Sequence, residues 1–102
     1  MPLVFGPALR IDKWLWFARC TKSRGEAQAL CESRRVRMDG RVIERASARV
    51  RPGAVLSYTR GDEVHIVRVE ALTDRRGPYE QARQLYTDLT KSDRLTSAAA
   101  AV

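Results

Sequence analysis

The sequence predicts an α+β domain: two short helices leading into a strand and a turn, set on a small, mainly antiparallel sheet, with a further helix at the C-terminal end. Three patterns carry this. Between Arg10 and Gly40, apolar residues recur twice at helical spacing and then alternate through Val36-Arg37-Met38. Between residues 52 and 72, two β-branched runs flank the turn signal Arg60-Gly61-Asp62-Glu63. From Tyr79 the spacing returns to three and four, through Ala82, Leu85, Tyr86 and Leu89.

Taken in order, residues 1–9 are apolar, contain two prolines and carry no positive charge before their apolar stretch, so they read as an N-terminal arm rather than a signal peptide or membrane span. Asp12 is the expected N-cap of the first helix, whose buried face is Ile11, Leu15 and Ala18. After a turn at residues 20–22, Ser23 and Glu26 form an S-x-x-E capping box that starts the second helix. Ala27, Leu30 and Cys31 make its apolar stripe, and Arg24, Gln28 and Arg35 are expected on the opposite side. Asp39-Gly40 marks a tight hairpin, with Arg41 to Ile43 as its return. Residues 44–51 read as a connecting loop, Pro52-Gly53 as a turn, and Ala54 to Thr59 and Val64 to about Leu72 as strands. Pro78 opens the last helix, expected from Tyr79 to about Thr90, and Ser97 to Val102 as a frayed alanine-rich end. The organisation is therefore an arm (1–9), a principal domain (10–74, with its core motif at 10–40) and a C-terminal helix with a tail (75–102).

A chain of 102 residues supports one modest core. Its net charge of +7 and pI near 10.2 point to a polyanionic partner, with nucleic acid first. Arginine outnumbers lysine, which occurs only at Lys13, Lys22 and Lys91; the guanidinium fork pairs with phosphate in two places. Cys20, Cys31 and His65 provide no metal-ligand spacing, so no metal or cofactor is expected, and a reducing cytoplasm suits the two thiols. No phosphate loop, nucleophile motif or paired ligands are present, and the chain is read as a non-enzyme.

The segments R-I-D-K-W-L, K-S-R-x-E-A-Q-x-L and R-V-R-M-D-G resemble the RNA-binding domain named after ribosomal protein S-four, in which two helices lead into a short strand and turn. The Trp14-Leu15-Trp16 triplet, the small size and the C-terminal layout are similar to the bacterial heat-shock protein fifteen group of ribosome-associated RNA binders. The resemblance implies binding of structured ribosomal RNA on the large subunit. It further implies recycling, under heat stress, of subunits that still hold a nascent chain and transfer RNA. It places the RNA site on Arg10, Lys13, Arg19, Lys22, Ser23, Arg24, Gln28, Arg35 and Arg37, on a chain expected to act as a monomer away from any membrane. Two positions depart from the family: Arg34 stands where Gly usually closes the second helix, and Asp39 where Asn usually precedes the turn glycine.

Plainer readings stand beside these. A run of basic residues is commonly just a solvated face, although here one sign recurs across both helices, the turn and the strand. Trp14 is assigned to the core, while Trp16 is equally compatible with packing and with stacking on a base. Two short helices with a tight turn also admit a DNA-binding regulator of helix-turn-helix type, with Arg24 and Gln28 reading bases. A protein-interaction module using the amphipathic C-terminal helix is the third alternative.

Overall fold

The computed structural model describes residues 8–90. A two-residue strand β1 (Leu9–Arg10) runs directly into helix α1 (Ile11–Phe17). Helix α2 (Arg24–Glu32) follows after a six-residue turn, and the apolar faces of the two pack together through Ile11, Leu15, Ala18, Ala27, Leu30 and Cys31, all buried as the spacing predicts.

Asp12 is not the cap of α1. Arg10 holds that position, and the first two free N–H groups of the helix are taken by backbone: Ile11 donates to the Ala48 carbonyl (2.7 Å) and Asp12 to the Ala46 carbonyl (3.3 Å). A side-chain cap is needed only where orphan donors lack another acceptor, and here the 45–50 segment supplies one. That segment was expected to be loop throughout; instead β4 (Arg49–Val50) pairs antiparallel with β1, Leu9 opposite Val50 and Arg10 opposite Arg49. The cap of α2 is as expected on one side only. Ser23 Oγ accepts the Glu26 N–H (3.0 Å), but the Glu26 carboxylate reaches one residue further back, to the Lys22 N–H (2.8 Å).

Both helices end in the same motif. At α1 the Arg19 N–H donates to Trp16 O and the Cys20 N–H to Leu15 O; at α2 the Arg34 N–H donates to Cys31 O and the Arg35 N–H to Leu30 O. Arg19 (φ 61°) and Arg34 (φ 65°) take the left-handed conformation that this Schellman arrangement requires. Glycine is thus dispensable at Arg34, and the helix stops at Glu32. Arg35 closes the motif beyond the end of α2 and is not on the helical face with Arg24 and Gln28, which corrects the stacking expected from their spacing.

The main sheet has the order β3-β2-β5-β6-β7 and is antiparallel throughout, with β2 (Val36–Met38), β3 (Arg41–Val42), β5 (Val55–Arg60), β6 (Glu63–Val69) and β7 (Tyr86–Asp88). Asp39 (φ 51°) and Gly40 (φ 87°) form the two-residue turn between β2 and β3, both with the positive φ of a type I′ hairpin. One face of the sheet, including Val36, Leu56, Tyr58, Val67 and Val69, closes on the helices. Trp14 is fully buried at this junction and donates its indole N–H to Ala71 O (2.9 Å).

The C-terminal helix is much shorter than its periodicity suggested. Helix α3 covers only Tyr79–Ala82, a 3-10 turn takes Arg83–Leu85, and the chain then becomes β7 along the edge of β6. The spacing of Ala82 and Leu85 does mark buried residues, but Tyr79 is exposed and Tyr86 lies on a strand. Tertiary pairing wins because β6 offers an open row of backbone groups, which Tyr86–Asp88 and the Leu89 N–H to Ile66 O bond satisfy. β6 itself ends at Val69 rather than near Leu72. The long amphipathic helix required by the protein-interaction alternative is therefore absent from residues 79–90. The expected frayed end at 97–102 and all but the last two residues of the N-terminal arm lie outside the described residues.

Cys20 and Cys31 are both free and buried. Burial pushes the Cys20 thiol up to about 11 and, with the nearby charges of Asp12 and Glu32, the Cys31 thiol up to about 12. Both behave as small apolar core residues. His65 stacks on the Tyr58 ring at 5.1 Å, a packing contact.

Candidate nucleic-acid interface

Asp12 is the centre of the basic surface. Its side chain is fully buried, yet five donors converge on it. Arg10 approaches as a fork, Nε to Oδ1 and Nη2 to Oδ2, each at 3.0 Å. Arg24 Nε (3.3 Å) and Gln28 Nε2 (3.2 Å) reach Oδ2 from α2, and the Lys13 backbone N–H reaches Oδ1 (2.8 Å). Burial alone would raise the carboxyl pKa; the hydrogen bonds from Arg10 and Gln28, the Arg10 charge and the Lys13 N–H outweigh it and hold the group below its ordinary value. Two guanidiniums against one carboxylate leave a single positive charge in excess. Both arginine side chains remain 38% exposed, so their outer edges face solvent.

The remaining expected residues distribute around this centre. Lys13 is half-buried on α1, and Lys22 is exposed before α2. Ser23 spends its hydroxyl oxygen on the α2 cap, directly before Arg24. Arg35 and Arg37 line a shallow groove of about 450 Å³ with Arg34, Ser57, Tyr58, Thr59 and Val64. Arg34 is paired with Glu44, whereas Arg35 and Arg37 make no ion pair among the described residues. The groove and the Asp12 cluster share no residue. Sequence spacing joined Arg24, Gln28 and Arg35; the fold divides them into a set of tethered donors and a set of open charges.

Arg19 belongs to neither. Its Nε donates to Gly77 O (3.0 Å), and in the other direction Arg76 Nε donates to Trp16 O (3.1 Å) and Nη2 to Thr21 O (3.4 Å). The Arg76 guanidinium also lies 5.6 Å from the centre of the Trp16 ring, with Phe17 against the same indole. Trp16 is thus engaged in packing. Asp39, a doubtful neighbour for RNA on charge alone, accepts the Val55 N–H on Oδ1 (3.0 Å) and exchanges a backbone bond with the same residue. Sequence spacing does not single out Asp12 or Arg76 as organising residues; the one signal it carries is a carboxylate surrounded in sequence and across the turn by Arg10, Lys13 and Arg24.

Residues 9–56 match the S4 domain family. The fold as a whole resembles the trimeric structure of Vibrio cholerae Heat Shock Protein 15, with a TM-score of 0.76 and 30% identity over 89% of this chain and 95% of that one. The chain belongs to the heat shock protein 15 family. Among curated relatives, the Heat shock protein 15 homolog of Haemophilus influenzae is 36% identical over 84 residues, 82% of this chain and 63% of the relative. Heat shock protein 15 of Escherichia coli K12 is 34% identical over the same length, 82% of this chain and 62% of that protein. The chain thus spans somewhat less than two thirds of the curated heat shock protein 15 sequences it matches. The S4 match contains the Asp12 cluster and the groove arginines Arg34, Arg35 and Arg37, and it excludes Arg68, Arg76 and Arg83. No helix among the described residues is long and apolar enough to cross a membrane.

Proposed function

We propose that this chain is a non-catalytic RNA-binding protein that takes structured ribosomal RNA in the cytoplasm, on the large ribosomal subunit. The observation that carries this reading is the set of arginine and glutamine donors fixed on buried Asp12 inside an S4 domain. Fixed guanidiniums suit the sugar-phosphate backbone of a folded RNA, where shape rather than base sequence is read. Arg10, Lys13, Arg24 and Gln28 form one part of the contact and Arg35 and Arg37 another, with Lys22 and Arg19 adding charge at the margins and Ser23 acting through the helix cap. Membership of the heat shock protein 15 family supports the further reading that the protein helps to recycle large subunits still carrying a nascent chain and transfer RNA under heat stress.

The helix-turn-helix alternative is disfavoured by the same geometry. Arg24 and Gln28 are turned onto Asp12 instead of being presented as base readers, and α2 runs into a hairpin. Competition binding with hairpin RNA, duplex DNA and separated ribosomal subunits tests the proposal. RNA and the large subunit should compete at concentrations where duplex DNA does not, and preference for duplex DNA would overturn it. The proposal takes the chain to act as a monomer, in contrast to the trimer of the Vibrio cholerae structure; light scattering of the free protein and of its RNA complex decides between them.

A further inference from the structure

We infer that Asp12 is a positioning residue for RNA recognition: a negative charge within a basic site that increases affinity by aiming its neighbours. The inference rests on the RNA-binding reading above. A carboxylate beside a phosphate site should be unfavourable on charge alone, which makes its five-donor burial informative. Each oxygen is occupied, Oδ1 by Arg10 Nε and the Lys13 N–H, Oδ2 by Arg10 Nη2, Arg24 Nε and Gln28 Nε2. A carboxylate offers about four lone-pair sites, so nothing remains on Asp12 for an outside donor. What remains lies on its partners. Arg24 spends only Nε on Asp12, and with the side chain 38% exposed both Nη groups keep donor capacity; Arg10 retains Nη1 and one proton of Nη2; Gln28 retains its carbonyl and one amide proton.

The consequence is an entropic one. A free arginine must be immobilised when it meets a phosphate, and its long side chain loses rotamer freedom at that moment. Arg10 and Arg24 have already lost it in the free protein, because an anchor with no exposed surface fixes the Nε edge of each. Arg10 comes from the β1–α1 junction and Arg24 from the first turn of α2, so the shared carboxylate also fixes the spacing between two side chains fourteen residues apart in sequence. Such a pair selects a phosphate arrangement of matching spacing, whereas Arg35 and Arg37, which make no ion pair among the described residues, supply attraction with little selection.

Charge and position predict opposite signs. Asp12→Asn raises the net positive charge by one, so a purely electrostatic site should bind RNA more tightly. With Asp12 as an anchor, affinity should fall roughly ten-fold, because orientation of two charge-assisted donors is lost. The preference for hairpin RNA over duplex DNA should fall with it, while the slope of log affinity against log salt stays the same or steepens, since no cation is removed. Arg24→Lys is the second arm, used also where Asp12→Asn does not fold as judged by circular dichroism. It preserves charge and removes the planar fork, and a loss of several-fold is expected. Unchanged or tighter binding by folded Asp12→Asn, or equal binding by Arg24→Lys, would overturn the inference. A wild-type chain with no affinity for RNA would instead sink the function on which it rests.

Discussion

Arg19 and Arg34 occupy equivalent positions in two successive Schellman turns. Each is the left-handed residue that ends its helix, and each sends its side chain to a different part of the chain, Arg19 to Gly77 O and Arg34 to Glu44. An L-residue in this conformation costs about 1–2 kcal/mol relative to the right-handed one. Arg34→Gly should therefore raise stability by about 0.5–1 kcal/mol, after subtracting an exposed ion pair and the greater freedom of glycine in the unfolded chain. A thermal or urea melt measures it, and a lower midpoint would mean that the Glu44 pair outweighs the backbone strain.

Leu30 marks the face on which α2 is buried. It is nearly inaccessible and its carbonyl is also the acceptor for the Arg35 N–H in the second Schellman turn. Leu30→Ala should cost about 2–5 kcal/mol, the range for truncating a buried aliphatic side chain. Denaturant unfolding gives the value directly. A loss below about 0.5 kcal/mol would show that the core closes over the site without it.

Asp12 should contribute to acid sensitivity. Its carboxyl is held below the ordinary range in the folded chain, whereas in the unfolded chain it titrates near ~3.9. The group therefore adds stability that is present above about pH 4 and is lost as pH falls from there through the depressed folded value. Asp12→Asn should be less stable than wild type at neutral pH, by about 1–3 kcal/mol given that the two arginines can turn back to water. The gap between the two proteins should narrow as pH drops below about 4. Parallel stability curves from pH 7 to pH 2 would exclude the effect.

Alanine replacement at four arginines should divide them into two pairs. Arg24→Ala and Arg35→Ala should each weaken RNA binding by roughly five-fold or more at physiological salt, with the fold checked by circular dichroism. Alanine is preferred to reversal at Arg24, because a glutamate there would bring a second carboxylate to buried Asp12. Arg68 is paired with Glu70 on β6 and Arg83 lies over the Tyr79 ring, both outside the S4 match. Their replacement should act mainly at low salt, where long-range attraction is poorly screened. Equal losses at all four positions would indicate a diffuse polycation without a site.

The wild-type salt dependence follows from the same count of cations. Neutralisation of about five to seven phosphates gives a slope of log affinity on log salt of several units. Arg35→Ala should reduce that slope by about one, since Arg35 has no internal counter-charge among the described residues. A titration series at four or five salt concentrations reads both, and a flat wild-type response would remove the electrostatic contribution altogether.

Local chemistry determined a large part of this molecule. The Ser23 cap, the Ala27-Leu30-Cys31 stripe, the Asp39-Gly40 turn and the burial of Ile11, Leu15 and Trp14 all follow from near neighbours in the chain, and periodicity and turn chemistry report near neighbours well. The RNA-binding motif is legible between Arg10 and Gly40, while the α+β class also needed the strand patterns between residues 52 and 72. Tertiary structure decided whatever depended on partners distant in sequence. Residues 79–90 carry a helical pattern, but the open edge of β6 draws Tyr86–Asp88 into a strand. Asp12 looks like a helix cap, but Arg10 holds that position with Ala48 and Ala46 accepting the Ile11 and Asp12 N–H groups, and the Asp12 carboxylate gathers Arg10, Arg24 and Gln28. Arg35 shares its spacing with Arg24, yet a left-handed turn at Arg34 carries it onto the sheet. In the first two cases a backbone group needed a hydrogen-bond partner, and which partner it found depended on a chain segment that sequence spacing does not place nearby; in the third a helix-ending turn redirected the chain before the helical spacing reached Arg35.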